Sequence, residues 1–207
     1  MSKKKNTPPM PSAGKKNAPA PPPAAPEAAG GSAVHFLPYL LVGGLAFLLY
    51  ANTLGHAYVL DDDLALKLHN HVNRGLAGIG DIFMAPYREG CFGGCLYRPL
   101  TLTAFAVEWA IAPNSPAISH WMNVLWYTAT AVLLYSTLRL LLHGRSAALP
   151  LVAALLFVAH PVHTEVVANI KSRDEIMSLF FGLLSLHFFC RSLAGRGSTA
   201  ALRTGAA

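Results

Sequence analysis

Phe157–Glu175 gathers two histidines, three carboxylates and two cations between two apolar runs. Charged groups at the edge of a bilayer are costly to place, and they serve either chemistry or anchoring. His160 and His163, with Glu165 close behind, could bind a metal or hydrogen-bond a phosphate. His-x-x-His is by itself a weak zinc signal, and interfacial histidines with ordinary protein partners give the same spacing. Lys171 and Arg173 suit a phosphate, Arg173 through a bidentate contact. Asp174 and Glu175 support that site or simply cap a helix that begins there. A second constellation is Asp61-Asp62-Asp63. Adjacent carboxylates repel, so at least one should have a raised pKa unless a cation or metal compensates, and such a group can serve as a general base toward a hydroxyl. A solvated helix cap is the plainer alternative. Arg98 adds one more cation, beside Tyr97.

These groups need elements to hold them, and the composition says which kind. Of the 207 residues, 53% are hydrophobic and only 13% charged, about half the charge of an ordinary soluble domain. An all-α polytopic membrane protein is expected, with about four transmembrane helices near 35–56, 119–142, 147–161 and 176–193. The last two have shorter apolar cores than the first two. Residues 1–33, rich in Lys, Pro and Ala, read as a disordered basic tail on the cytoplasmic side, 34–193 as the membrane domain, and 194–207 as a second disordered tail. With the first tail inside, ten Lys/Arg fall inside against six outside, which agrees with the positive-inside rule. Every carboxylate beyond the tail then lies on the outer face, with 57–118 and 162–175. Within 57–118, Leu64–Leu76 and Leu100–Ile111 have the spacing of short amphipathic helices. Leu102, Phe105, Ala106, Trp109 and Ala110 share one face that would lie on the interface, with Trp109 as anchor.

The net charge of +6 sits largely in the tail, and no aromatic-interleaved basic patch follows, so nucleic acid is not an expected partner. Cys91 and Cys95 could close a small disulfide in an oxidising compartment, and Cys190 reads as a buried small hydrophobe. His187 is the one ionisable group well inside a span, which leaves no evident conduction path for a transporter or channel.

One ordered set of motifs carries a resemblance. It runs Leu60-Asp-Asp-Asp63, Gly80-Asp-Ile-Phe83, Tyr97-Arg-Pro-Leu-Thr101, His120-Trp-Met-Asn123 and Leu156-Phe-Val-Ala-His-Pro-Val-His-Thr-Glu-Val-Val167, and closes with Arg173-Asp-Glu. It resembles the N-terminal membrane region of the transmembrane and tetratricopeptide-repeat protein O-mannosyltransferases and their bacterial relatives. The resemblance implies a partial GT-C glycosyltransferase fold in a cell membrane, such as a bacterial inner membrane. It further implies a polyprenyl-phosphate sugar as donor and a protein hydroxyl as acceptor. Asp61, Asp62 and Asp63 would take the place of the catalytic acidic motif, with Asp62 or Asp63 as base. Arg98, His160, His163, Lys171 and Arg173 would contact the donor phosphate or a divalent cation. Enzymes of that superfamily have many more helices, so the chain reads as a shortened portion of one. The competing reading is a non-catalytic membrane anchor or scaffold in which the motif residues are idle.

Overall fold

A computed structural model describes residues 32–59, 62–87 and 96–204, with side chains described from Phe36 to Leu193 apart from Leu64. The expectations for the N-terminal tail, for Asp61 and for the Cys91/Cys95 pair lie outside the described residues. The described chain is helical throughout. In order it contains α1 (Ser32–Tyr50), α2 (Asp62–Ala65), α3 (Ile79–Ile82), α4 (Pro99–Ile111), α5 (Pro116–Leu141), α6 (Ala148–Ala159), α7 (His163–Ala168) and α8 (Arg173–Thr204). Short 3-10 segments lie between them at Ala51–Gly55, at Val72–Gly78, which is kinked at Gly75, and at Ile170–Ser172.

Among the described residues, three stretches are long and apolar enough to cross a membrane: Phe36–Gly55, Pro116–Leu141 and Ile170–Leu193. The 147–161 segment is realised as the 12-residue α6. It ends at Ala159 because Pro161 follows, and a residue close before proline is pushed out of the helical region. The last segment is longer than its apolar core. Its helix starts at Arg173 and its backbone stays helical to Thr204, through residues the sequence assigns to a tail. Ala, Leu and Arg in that stretch are strong helix formers, and adding residues to an existing helix is far cheaper than nucleating one.

Two cores divide the work. In the bundle, Val42, Ala46 and Tyr50 of α1 pack on Val124, Tyr127 and Ala131 of α5, with α6 to α8 closing around them. Gly43 sets how closely α1 approaches α5, since a Cβ there would lie 3.1 Å from Val132. Small residues at helix contacts are the usual device for tight packing where lipid offers no hydrophobic contrast. The Tyr127 hydroxyl donates to the Val158 carbonyl at 3.1 Å, which ties α5 to α6. His187 is met by Thr137 of α5 at 3.3 Å.

The second core lies between α4 and the segment from α2 to α3. Leu102, Phe105 and Ala106 are fully buried there against Leu66, Val72 and Ile82. The face of α4 expected to meet the interface therefore covers protein at Leu102, Phe105 and Ala106, while Trp109 is half-buried and Leu100, Val107 and Ile111 are exposed. Leu64–Leu76 is also not one helix. α2 is a single turn, and the chain then kinks at Gly75, which stands at φ +60°. Glycine tolerates that region, where residues with a Cβ strain.

The tightest point of this fold is Gly78, where a Cβ would sit 1.9 Å from the His71 carbonyl oxygen. Backbone cannot yield as a flexible side chain can. Gly78→Ala is expected to lower stability by about 2–3 kcal/mol, read as a lower melting temperature of the detergent-purified protein, with Gly80→Ala, which meets nothing within 4 Å, as the silent control.

Candidate functional site

Asp62 is the first residue of α2 and is fully buried. Its carboxylate accepts the Val59 N–H on Oδ2 at 3.1 Å and the Lys171 N–H on Oδ1 at 2.9 Å. Its own N–H donates back to the Val59 carbonyl at 3.0 Å, so the turn is closed from both sides. Burial pushes its pKa up; the two N–H donors and nearby His120 pull the other way, and Asp63 adds to the rise. Asp63 faces elsewhere: it pairs with Lys67 one helical turn on, at 2.8 Å, with 46% of its side chain exposed. Two neighbours in sequence thus have different environments, one a pinned buried carboxylate and one a surface ion pair.

The roof over Asp62 is residues 169–174. The Tyr87 hydroxyl donates to the Lys171 carbonyl at 2.9 Å, and burial raises the pKa of that phenol. Arg98 stacks over the Tyr87 ring at 5.2 Å and pairs with Asp174 at 2.6 Å. The other Asp174 oxygen, Oδ1, is buried without a hydrogen-bond partner among the described residues. Arg98 and Asp174 line a cavity of about 380 Å³ whose walls include Thr101, Met177 and Phe181. Charged groups at its rim and an apolar wall leading along α8 suit an amphipathic ligand.

Arg173 departs from its expected role. It is fully exposed to protein and not to solvent, with 0% of its surface accessible. Nε donates to Asn123 Oδ1 at 2.6 Å, Nη2 donates to the Ser119 carbonyl at 2.8 Å, and Nη1 pairs with Glu108. The guanidinium lies 4.5 Å from the centre of the Phe105 ring. The Ser119 hydroxyl donates to the second Glu108 oxygen at 2.8 Å. All three of its nitrogens therefore bond within the protein, and direct contact with a donor phosphate is not what this geometry provides. A buried charge is tolerated only when its partners are this complete.

Glu108, Ser119 and Asn123 carry no role in the sequence reading, although Asn123 stands in one of the motifs. A signal for Glu108 does exist: it shares the buried face of α4 with Thr101 and Phe105. A lone carboxylate on an apolar face calls for a buried cation.

The histidines are not brought to Asp62. His160 is exposed beyond α6, its ring 6.1 Å from that of His163. His163 stacks near Phe157 at 4.3 Å and Tyr127 at 5.6 Å, and burial lowers its pKa. It lines a separate cavity of about 140 Å³ together with Glu175, so consecutive residues of α8, Asp174 and Glu175, open onto different cavities. Glu165 is exposed. Among the described residues, no group of three or more His, Cys, Asp or Glu is arranged to hold a metal ion.

Fold and site together define a polytopic helical membrane protein whose acidic and basic groups meet at one end of its bundle. Comparison with known proteins finds relatives of one kind. The chain is 32% identical to protein O-mannosyl-transferase tmtc2 of Xenopus laevis over 167 residues, 76% of this chain and 19% of that one. It is 28% identical to TMTC3 of Mus musculus over 77% of this chain and 17% of the relative. With human TMTC4 it shares 29% identity over 76% of its own length and 23% of the relative. The chain is thus similar, over about three quarters of its own length, to TMTC protein O-mannosyl-transferases, and it spans about a fifth of theirs. No family model and no solved structure matches it.

Removing one side of the buried pair isolates the other charge. Arg173→Met and Glu108→Met are each expected to cost about 3–5 kcal/mol, and the double substitution much less than their sum. Denaturant unfolding in detergent, run as a double-mutant cycle, measures the difference.

Proposed function

We propose that this chain forms part of the catalytic face of a glycosyltransferase that moves a sugar from a lipid-linked phosphate carrier to a protein hydroxyl on the outer side of the membrane, with Asp62 as general base. The relatives' names support sugar transfer to protein. The observation that carries the reading is Asp62 itself, a buried carboxylate held by two backbone donors at the end of three membrane-length helices.

The acceptor oxygen attacks the anomeric carbon of the donor sugar as its proton passes to the Asp62 carboxylate. The bond from that carbon to the phosphate oxygen breaks, and the phosphate leaves on its lipid. A carboxylate shielded from water is a stronger base than one in solution, which favours proton removal in the transition state. Arg98 spends one nitrogen on Asp174 and has further N–H donors for the leaving phosphate. The lipid chain suits the apolar wall of the Arg98 cavity. His160, His163, Glu165 and Glu175 take no part in this step, and Asp63 serves as an ion-pair partner of Lys67.

Transfer from a lipid-phosphate mannose to an acceptor peptide, measured in membranes that carry the whole protein, tests the assignment. Asp62→Asn is expected to lower kcat by about 10²- to 10⁴-fold, with Asp63→Asn close to wild type; the reverse pattern would overturn it. The pH dependence has a definite sign. The base works ionised and its pKa is raised, so the acid limb of the rate profile should lie above the ordinary carboxylate range and activity should fall as pH drops through it.

A further inference from the structure

We propose that Arg173 is a positioning residue for Asp62: its buried pair with Glu108 holds residues 169–173 where the Lys171 N–H meets the Asp62 carboxylate. This rests on the reading of Asp62 as base. One Asp62 donor, Val59, is local to its own turn and would follow it anywhere. The other comes from 109 residues away, so the carboxylate's direction depends on where residue 171 is held.

Lys171 sits in the Ile170–Ser172 turn, and its flanks are fastened by one residue of α5. Asn123 Nδ2 donates to the Val167 and Asn169 carbonyls, each at 3.2 Å, while Asn123 Oδ1 accepts Arg173 Nε at 2.6 Å. Arg173 thereby orients the amide that fixes the chain before Lys171, and by its own backbone it fixes the chain after it. Glu108 and the Ser119 carbonyl take its two remaining nitrogens. This needs a planar fork. A lysine ammonium is a single point and cannot meet three acceptors on three sides. Besides Lys171, the groups facing Asp62 are Asp63 on its own helix, Tyr58 ahead of it, Tyr87 from the loop before α4, and His120 of α5. Arg173 acts electrostatically on Tyr58, Tyr87 and His120, and a lysine in its place keeps that positive charge.

The test is Arg173→Lys, which keeps the charge and loses the fork, with two readouts. Amide hydrogen exchange in the purified whole protein should speed up at residues 169–173 by about tenfold or more, because the Lys171 N–H loses its acceptor. In the transfer assay, kcat should fall by about 10- to 100-fold, the size of a lost supporting contact, with the acceptor KM little changed. The acid limb should also move to higher pH, since an N–H donor that favours the ionised carboxylate is withdrawn. A merely structural residue would lower the yield of folded protein and leave the limb in place. Should Arg173→Lys fail to fold, Tyr87→Phe, which releases the Lys171 carbonyl and spares the ion pair, should shift exchange and limb the same way by less. Unchanged exchange and an unchanged limb in a folded variant would overturn the proposal. Retained transfer in Asp62→Asn defeats the base assignment instead, and leaves the exchange result to decide whether Arg173 sets the contact.

Discussion

The rest of the site depends on one ion pair taken out of water. Arg173 and Glu108 would each cost several kcal/mol to bury alone, and their mutual attraction offsets this only when the remaining donors and acceptors are satisfied. Asn123, Ser119 and the face of Phe105 meet that condition. The result is a junction between α4, α5 and α8 that no apolar contact could make so specific in direction, since hydrophobic burial has no preferred geometry. A slip of α8 by one residue would leave two charges without partners.

The bundle is held by different means. Seams of Val, Ala and Gly bring α1 and α5 together, and tyrosines join helices through edge-to-face pairs such as Tyr50 with Tyr127 at 5.1 Å. The flanking module relies on ordinary water-driven burial of Leu66, Leu102 and Phe105. The site lies where these two regimes meet. Its polar groups need protein partners on the bundle side, whereas Arg98 and Tyr97 remain partly open.

Much of this was readable from the chain, and the failures share a cause. Long apolar runs disclosed the membrane helices, and the 3.6-residue period disclosed α4 almost to the residue. Periodicity says that a face is apolar, yet it does not say whether lipid or protein covers it, and the Leu102/Phe105/Ala106 face of α4 is covered by protein. Adjacent acids could not be told apart, because successive residues on a helix point about 100° away from each other and nothing in Asp62-Asp63 reveals which direction is inward. Arg173 was visible as a charge, but its use depended on Glu108, 65 residues earlier, and on an amide whose role only the packed helices disclose. His160 and His163 drew attention by type and spacing, while the turn at Pro161 sends them to another side of α8.

The long span between Asp62 and Lys171 has a consequence for biosynthesis. The two residues that meet in the site are made 109 positions apart, a delay of roughly 5–20 s at ordinary elongation rates. Throughout that interval the carboxylate has only its local donor. The polypeptide therefore completes the Asp62 contact late, when α8 docks, and the two ends of that contact are never made together.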